Sequence, residues 1–76
     1  MYYMIYNKTT GQYYWQKSKD PHKSIESHIR RANNPDSHRY FTPLHTALRE
    51  EGIDNFNFFI MEYPPKWATH FGRYMN

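Results

Sequence analysis

The apolar positions of this chain fall in short blocks separated by polar turns, and each block has its own period. Two aromatic-rich, β-favouring runs, Tyr2 to Tyr6 and Gln12 to Lys17, flank Asn7-Lys8-Thr9-Thr10-Gly11, which predicts a hairpin around a glycine-containing turn. Asp20 followed by Pro21 supplies an N-cap and a first helical residue, so a helix is expected to about Ala32, with Ile25, His28 and Ile29 on one face. Asn33 to Ser37 is a loop by composition. Phe41, Leu44, Ala47 and Leu48 then recur at helical spacing, predicting a second helix from Thr42-Pro43 to Glu51, with Gly52 as its natural stop. From Ile53 to Met61, Phe56, Phe58 and Ile60 alternate with Asn55, Asn57 and Phe59, the period of a third strand. Pro64-Pro65 opens a last short helical segment to about Tyr74, where Trp67 and Phe71, four residues apart, are expected to pack onto the sheet. No repeat, linker or low-complexity tract interrupts this order, which reads as one domain over 1–76.

Composition sharpens the picture in three respects. A chain of 76 residues buries only about 60% of its unfolded surface. With a mean hydropathy of −1.07, its small core must be built largely from aromatic rings, of which there are 8 Tyr, 5 Phe and 2 Trp. Cysteine is absent, which excludes disulfides, thiolate metal sites and cysteine nucleophiles. No leader pattern and no membrane-length apolar run is present, so a soluble, cytoplasmic protein without membrane contact is expected. The net charge of +3 favours polyanions weakly. Cations gather at Lys17, Lys19, Lys23, Arg30, Arg31 and Arg39, while Glu50, Glu51, Asp54 and Glu62 lie later, so a two-sided surface is expected.

The hairpin and first helix together resemble the GIY-YIG nuclease domain. Met1-Tyr2-Tyr3 stands where Gly-Ile-Tyr would, and Tyr14-Trp15-Gln16 where Tyr-Ile-Gly would. The stretch from Leu44 through Gly52-Ile53-Asp54-Asn55-Phe56 to Glu62 resembles the family's later helix, turn and central strand, so the likeness spans about residues 1–63. It implies an α+β fold of order ββααβα, a three-stranded antiparallel sheet flanked by helices. In that family one tyrosine orients or activates the attacking water and the other lies beside the scissile phosphate. An arginine stabilises the developing charge, a histidine follows it on the same helix, and a glutamate on the final helix holds a divalent metal. Carried over by position, the tyrosines are Tyr3 and Tyr14, the helix histidine is His28, and His38 stands near another active-site histidine of some members. The arginine position holds Ser24, which cannot make a guanidinium's bidentate contacts with phosphate. No acidic residue follows Glu62, so the resemblance implies a site without its metal-binding glutamate. Losing one preorganised charge stabiliser typically costs about 10²–10³ in rate, and efficient hydrolysis is not expected.

Each of these residues also has a plainer reading. Tyr3 and Tyr14 serve cross-strand aromatic packing as readily as a phosphate site, His28 suits a hydrogen-bonded core position, and Arg30-Arg31 complement the C-terminal end of a helix dipole. The histidines form no close helical pair, so no metal site and no cofactor is expected. Three functions remain open. The first is a binding module of phage or mobile-element origin that modulates or inhibits a host protein or defence complex. The second is an inactive nuclease-like domain that binds DNA or RNA, with Lys17, Lys19, Lys23, Arg30 and Arg31 as the candidate contacts. The third is an atypical Mg²⁺-dependent endonuclease rescued by a neighbouring cation. Homo-oligomer formation would follow if Tyr13, Trp15 or Tyr40 formed an exposed patch.

Overall fold

A computed structural model describes residues 1–76. Strands β1 (Tyr2–Asn7) and β2 (Tyr13–Lys17) form the hairpin, followed by helices α1 (Pro21–Ala32) and α2 (Pro43–Glu51), a single 3₁₀ turn at Ile53–Asn55, and strand β3 (Phe56–Met61). The sheet is antiparallel in the order β2-β1-β3. The fold is thus a small α+β domain with a three-stranded antiparallel sheet and two helices.

Local chemistry explains most of these boundaries. In the hairpin turn the Asn7 Oδ1 accepts from the amides of Thr9 and Thr10 at 2.9 and 3.2 Å, and Gly11 adopts φ 76°, a left-handed conformation suited to glycine. Asp20 caps α1 by accepting from the Lys23 amide. At the other end, Arg30 and Arg31 face the helix's negative pole. Pro43 opens α2, and Gly52 at φ 83° ends it.

Register decides which face is core. Ile5 lies opposite Tyr14 and Phe58, and Tyr3 opposite Gln16 and Ile60. Tyr3, Ile5 and Phe56 meet Ile25, Ala32, Leu44 and Leu48 from the helices, with Tyr14, Ile29 and Phe58 packed at the margin. The other face carries Met4, opposite Trp15 and Phe59, and Met4 is itself buried.

What covers that second face corrects the sequence expectation. The helix predicted from Pro64 to about Tyr74 does not form. The segment runs through irregular turns instead and returns along the free edge of β2. There Tyr13 and Met75 exchange backbone hydrogen bonds of 2.8 and 3.1 Å, and the Gly72 amide donates to the Trp15 carbonyl at 2.9 Å. An isolated helix this short is marginal in water, whereas an open strand edge offers a row of unpaired groups. Left-handed residues at His70 (φ 56°) and Gly72 (φ 73°) make the bends. The expected packing of Trp67 and Phe71 survives in this form, with ring centroids 5.2 Å from Tyr13 and 4.8 Å from Trp15. With the strap over them Tyr13 is buried and Trp15 half-buried; Tyr40, beside Phe41 and Arg49, is half-buried too, so these three form no exposed patch.

Two smaller differences follow the same logic. Ile53–Asn55 is a 3₁₀ turn, not strand, because the Asn55 amide bonds back to the Gly52 carbonyl and its side chain is held by Asn7 and Glu51. Phe41 lies before the helix that Pro43 starts, exposed and edge to face with Tyr40.

Gly72 holds the C-terminal strap in place. A Gly72→Ala variant puts an L-residue at φ 73° with a Cβ 3.2 Å from the Gln16 side-chain nitrogen. It is expected to cost about 1 kcal/mol and to speed hydrogen exchange at the Tyr13 and Met75 amides while leaving β1 protected. Unchanged exchange at both amides would show that the strap does not depend on this bend.

Candidate functional site

At the centre of the fold, β1, α1 and α2 bring Tyr3, His28 and His45 into one chain of hydrogen bonds. The Tyr3 hydroxyl lies 2.8 Å from His28 Nε2, His28 Nδ1 lies 2.9 Å from His45 Nε2, and His45 Nδ1 lies 3.0 Å from the Arg39 carbonyl oxygen. The carbonyl fixes the direction of the whole chain. It can only accept, so His45 Nδ1 carries a proton and, in the neutral ring, its Nε2 accepts. His28 Nδ1 therefore donates, His28 Nε2 accepts, and Tyr3 donates its phenolic proton to His28. All four ring nitrogens are committed.

The electrostatics hold each group in that state. Burial, followed by His45 and then by Arg31 and Arg39, lowers the His28 pKa to about 4. Burial also pushes His45 below the ordinary imidazole value, although its bond to the Arg39 carbonyl acts in the opposite sense. The Tyr3 phenol is pushed up, first by burial and then by the adjacent Tyr14. Ordinary phenol and imidazole differ by about 3.5 pKa units, or about 5 kcal/mol for moving the proton between them. Here that gap is widened from both ends, so Tyr3 stays a phenol and His28 a neutral imidazole.

One side of this chain opens into a cleft of about 370 Å³ that runs along α1 from Ser18–Asp20 before its first turn to Arg31 in its last. Tyr3 and His28 lie among its lining, with Lys19, Lys23 and Arg31 as its cations. Asp20 is the only carboxylate there, and it is already engaged with the Lys23 amide. Ser24 lines the cleft too, its hydroxyl 2.6 Å from that of Ser18. Arg31 stands two turns further along the same helix face, so the cleft keeps a guanidinium although position 24 has none.

A second cavity, of about 260 Å³, lies beyond the His28 ring and includes Tyr14, Arg39, His45, Arg73 and Tyr74. The Tyr14 ring meets His28 edge to face at 5.1 Å and Tyr3 at 6.3 Å. Of the residues singled out from sequence, Tyr3, Ser24, His28, Lys19, Lys23 and Arg31 share the cleft, and Tyr14 borders its neighbour. Lys17, Arg30 and His38 are exposed and line neither cavity. His45 was not anticipated, yet it left a signal: a histidine between Leu44 and Leu48, on the buried stripe of α2. No group of three or more His, Asp or Glu side chains is placed to hold a metal ion, and no helix is long and apolar enough to cross a membrane. The sequence matches no protein-family model, and neither a curated protein nor a solved structure matches the chain.

Proposed function

We propose that the chain is a degenerate GIY-YIG-like module that binds the phosphate backbone of a nucleic acid in the cleft beside Tyr3 and His28 and does not hydrolyse it efficiently. The observation that carries this reading is the excess of charge: Lys19, Lys23 and Arg31 surround a cleft whose single carboxylate caps a helix. Cations of this kind release counterions when they meet phosphates, and the positive end of α1 adds to their field. Ser27 and one hydroxyl of the Ser18–Ser24 pair, whose other proton is spent in their mutual bond, add donors for phosphate oxygens.

Against efficient hydrolysis stand the serine at the family's arginine position and the Tyr3–His28 proton gap. Mg²⁺ enters only if the atypical endonuclease reading holds. The test is a fluorescence-anisotropy titration with branched, duplex and single-stranded DNA at low and physiological salt, with Mg²⁺ present and a gel check for nicking. Micromolar, salt-steep binding without cleavage is expected. Arg31→Ala should weaken it across sequences and lower the salt slope by about 1. Silence toward every form at both salts would end this reading, and metal-dependent nicking would end its inactive half.

A second reading is favoured by a different surface. Trp67 and Phe71, 63% and 50% exposed, lie over β2 on the sheet face opposite the helices, where Phe59 of β3 is 44% exposed as well. Exposed rings on one face suit a protein partner. In this reading the module modulates or inhibits a protein, such as a host defence component met in the cytoplasm by a phage or mobile-element product. Homo-oligomer formation through the same face belongs to this reading. Silence in the titration together with partner capture that depends on Trp67 would favour it.

A further inference from the structure

The cavity on the far side of His28 is not used by the phosphate-binding cleft, and its chemistry differs. Its walls include the rings of Tyr14 and Tyr74, and its charged residues are Arg39 and Arg73, with no acidic residue in the lining. Neither guanidinium is tied down as that of Arg49 is, which donates to the carbonyls of Ala32 and Tyr40. The Tyr74 wall is held in place before any ligand arrives. Its hydroxyl accepts from Asn7 Nδ2 at 2.9 Å, and the Gly72 and Met75 backbone bonds to β2 anchor the strap on either side.

We propose that this cavity is a nucleobase pocket. A base unstacked from a single strand enters between Tyr14 and Tyr74 while the adjoining phosphate sits in the cleft, so the chain selects single-stranded over duplex nucleic acid.

This rests on the backbone-binding reading and goes beyond it by naming the form bound. Three observations support it. The two cavities share His28 as a common wall, so they adjoin, and neighbouring nucleotides of one strand are the natural occupants of both. Aromatic walls with free arginines offer stacking and cation–π contact to any base, whereas a paired base cannot enter a recess without leaving its stack. Both histidine rings in the pocket have every nitrogen committed to the hydrogen-bond chain. Neither is free to read a base edge, so binding is expected to tolerate sequence.

The experiment compares a short oligothymidylate, a mixed-sequence single strand and a duplex of equal length. The proteins are the unmodified chain, Arg31→Ala, the double variant Arg39→Ala/Arg73→Ala, and Tyr74→Leu. Both arginines are exposed, so the double variant is expected to fold. The single strands should bind about tenfold tighter than the duplex, the scale of one stacked base. The double variant should bring them down to the duplex level while leaving duplex binding intact, and Arg31→Ala should weaken all three probes. Tyr74→Leu should remove the preference with the salt slope unchanged, since no charge is lost. Duplex binding equal to single-strand binding, or a double variant that weakens both alike, would overturn the pocket and leave the backbone reading standing. Failure of every probe to bind would overturn both.

Discussion

An Asn7→Ala variant is expected to lose about 3 kcal/mol of unfolding free energy and to melt about 12–24 °C lower, the scaling for a domain of this size. Asn7 is fully buried and its amide joins four separate parts of the chain. Oδ1 accepts from the Thr9 and Thr10 amides of the hairpin turn and from Asn55 Nδ2 ahead of β3. Nδ2 donates to Glu51 at the end of α2, at 3.1 Å, and to the Tyr74 hydroxyl of the strap, at 2.9 Å. Truncation leaves several of these groups without partners, and each buried orphan costs about 1–3 kcal/mol less whatever water recovers. A domain of 76 residues is held by only about 4–11 kcal/mol in total, so about a quarter or more of the margin goes. Asn7→Asp sharpens the test. The carboxylate keeps the acceptor side of the network but loses both donors and sets a negative charge against Glu51. It should be at least as destabilised as the alanine variant at neutral pH. Urea unfolding of the three proteins checks the order, and a loss below about 1 kcal/mol in Asn7→Ala would show that the network is not cooperative. Because Asn7 also anchors Tyr74, the alanine variant should lose single-strand preference under conditions where it remains folded.

The parts of this fold that were legible in the sequence are those whose causes are local. Asp20-Pro21 and Thr42-Pro43 mark helix starts through their own backbone chemistry, and Gly11 and Gly52 mark turns because a left-handed φ is needed there. Where the outcome depends on competition between distant parts, the sequence misleads or stays silent. Pro64-Pro65 opens a plausible helix, but the free edge of β2 competes for the same backbone, and a segment broken by Gly72 pairs with the strand. Trp67 and Phe71 find the sheet in either case, since burial of their rings does not require helical geometry. Asn7 reads as an ordinary turn residue, and nothing within ten positions announces its bonds to Glu51, Asn55 and Tyr74. The site divides the same way. Tyr3, Ser24 and His28 were placed through resemblance to a family, whereas His45 meets His28 only because α1 crosses α2, 17 residues later in the chain.

The stability of the protein is expected to fall by about 3 kcal/mol between pH about 7 and pH about 4 from His28 alone. In the unfolded chain a histidine takes up its proton near pH 6.5, whereas folded His28 does so only near pH 4. Between these values the unfolded state holds one more proton than the folded state. Stability is therefore fully present above about pH 6.5 and is lost as pH falls through the folded value. His45 is shifted in the same direction and deepens the loss. The structural reason is the one-way hydrogen-bond chain. A protonated His28 has no lone pair for the Tyr3 proton, so the Tyr3 bond must reverse, and its charge would sit close to both Arg31 and Arg39, which already disfavour it. Urea unfolding across this range measures the slope. The control is His28→Gln, whose amide oxygen accepts from Tyr3 and whose nitrogen donates to His45 without titrating. That variant should keep the fold and flatten His28's share of the profile. If it retains the full slope, the acid sensitivity arises elsewhere, and the neutral Tyr3–His28–His45 chain is not what couples this fold to protons.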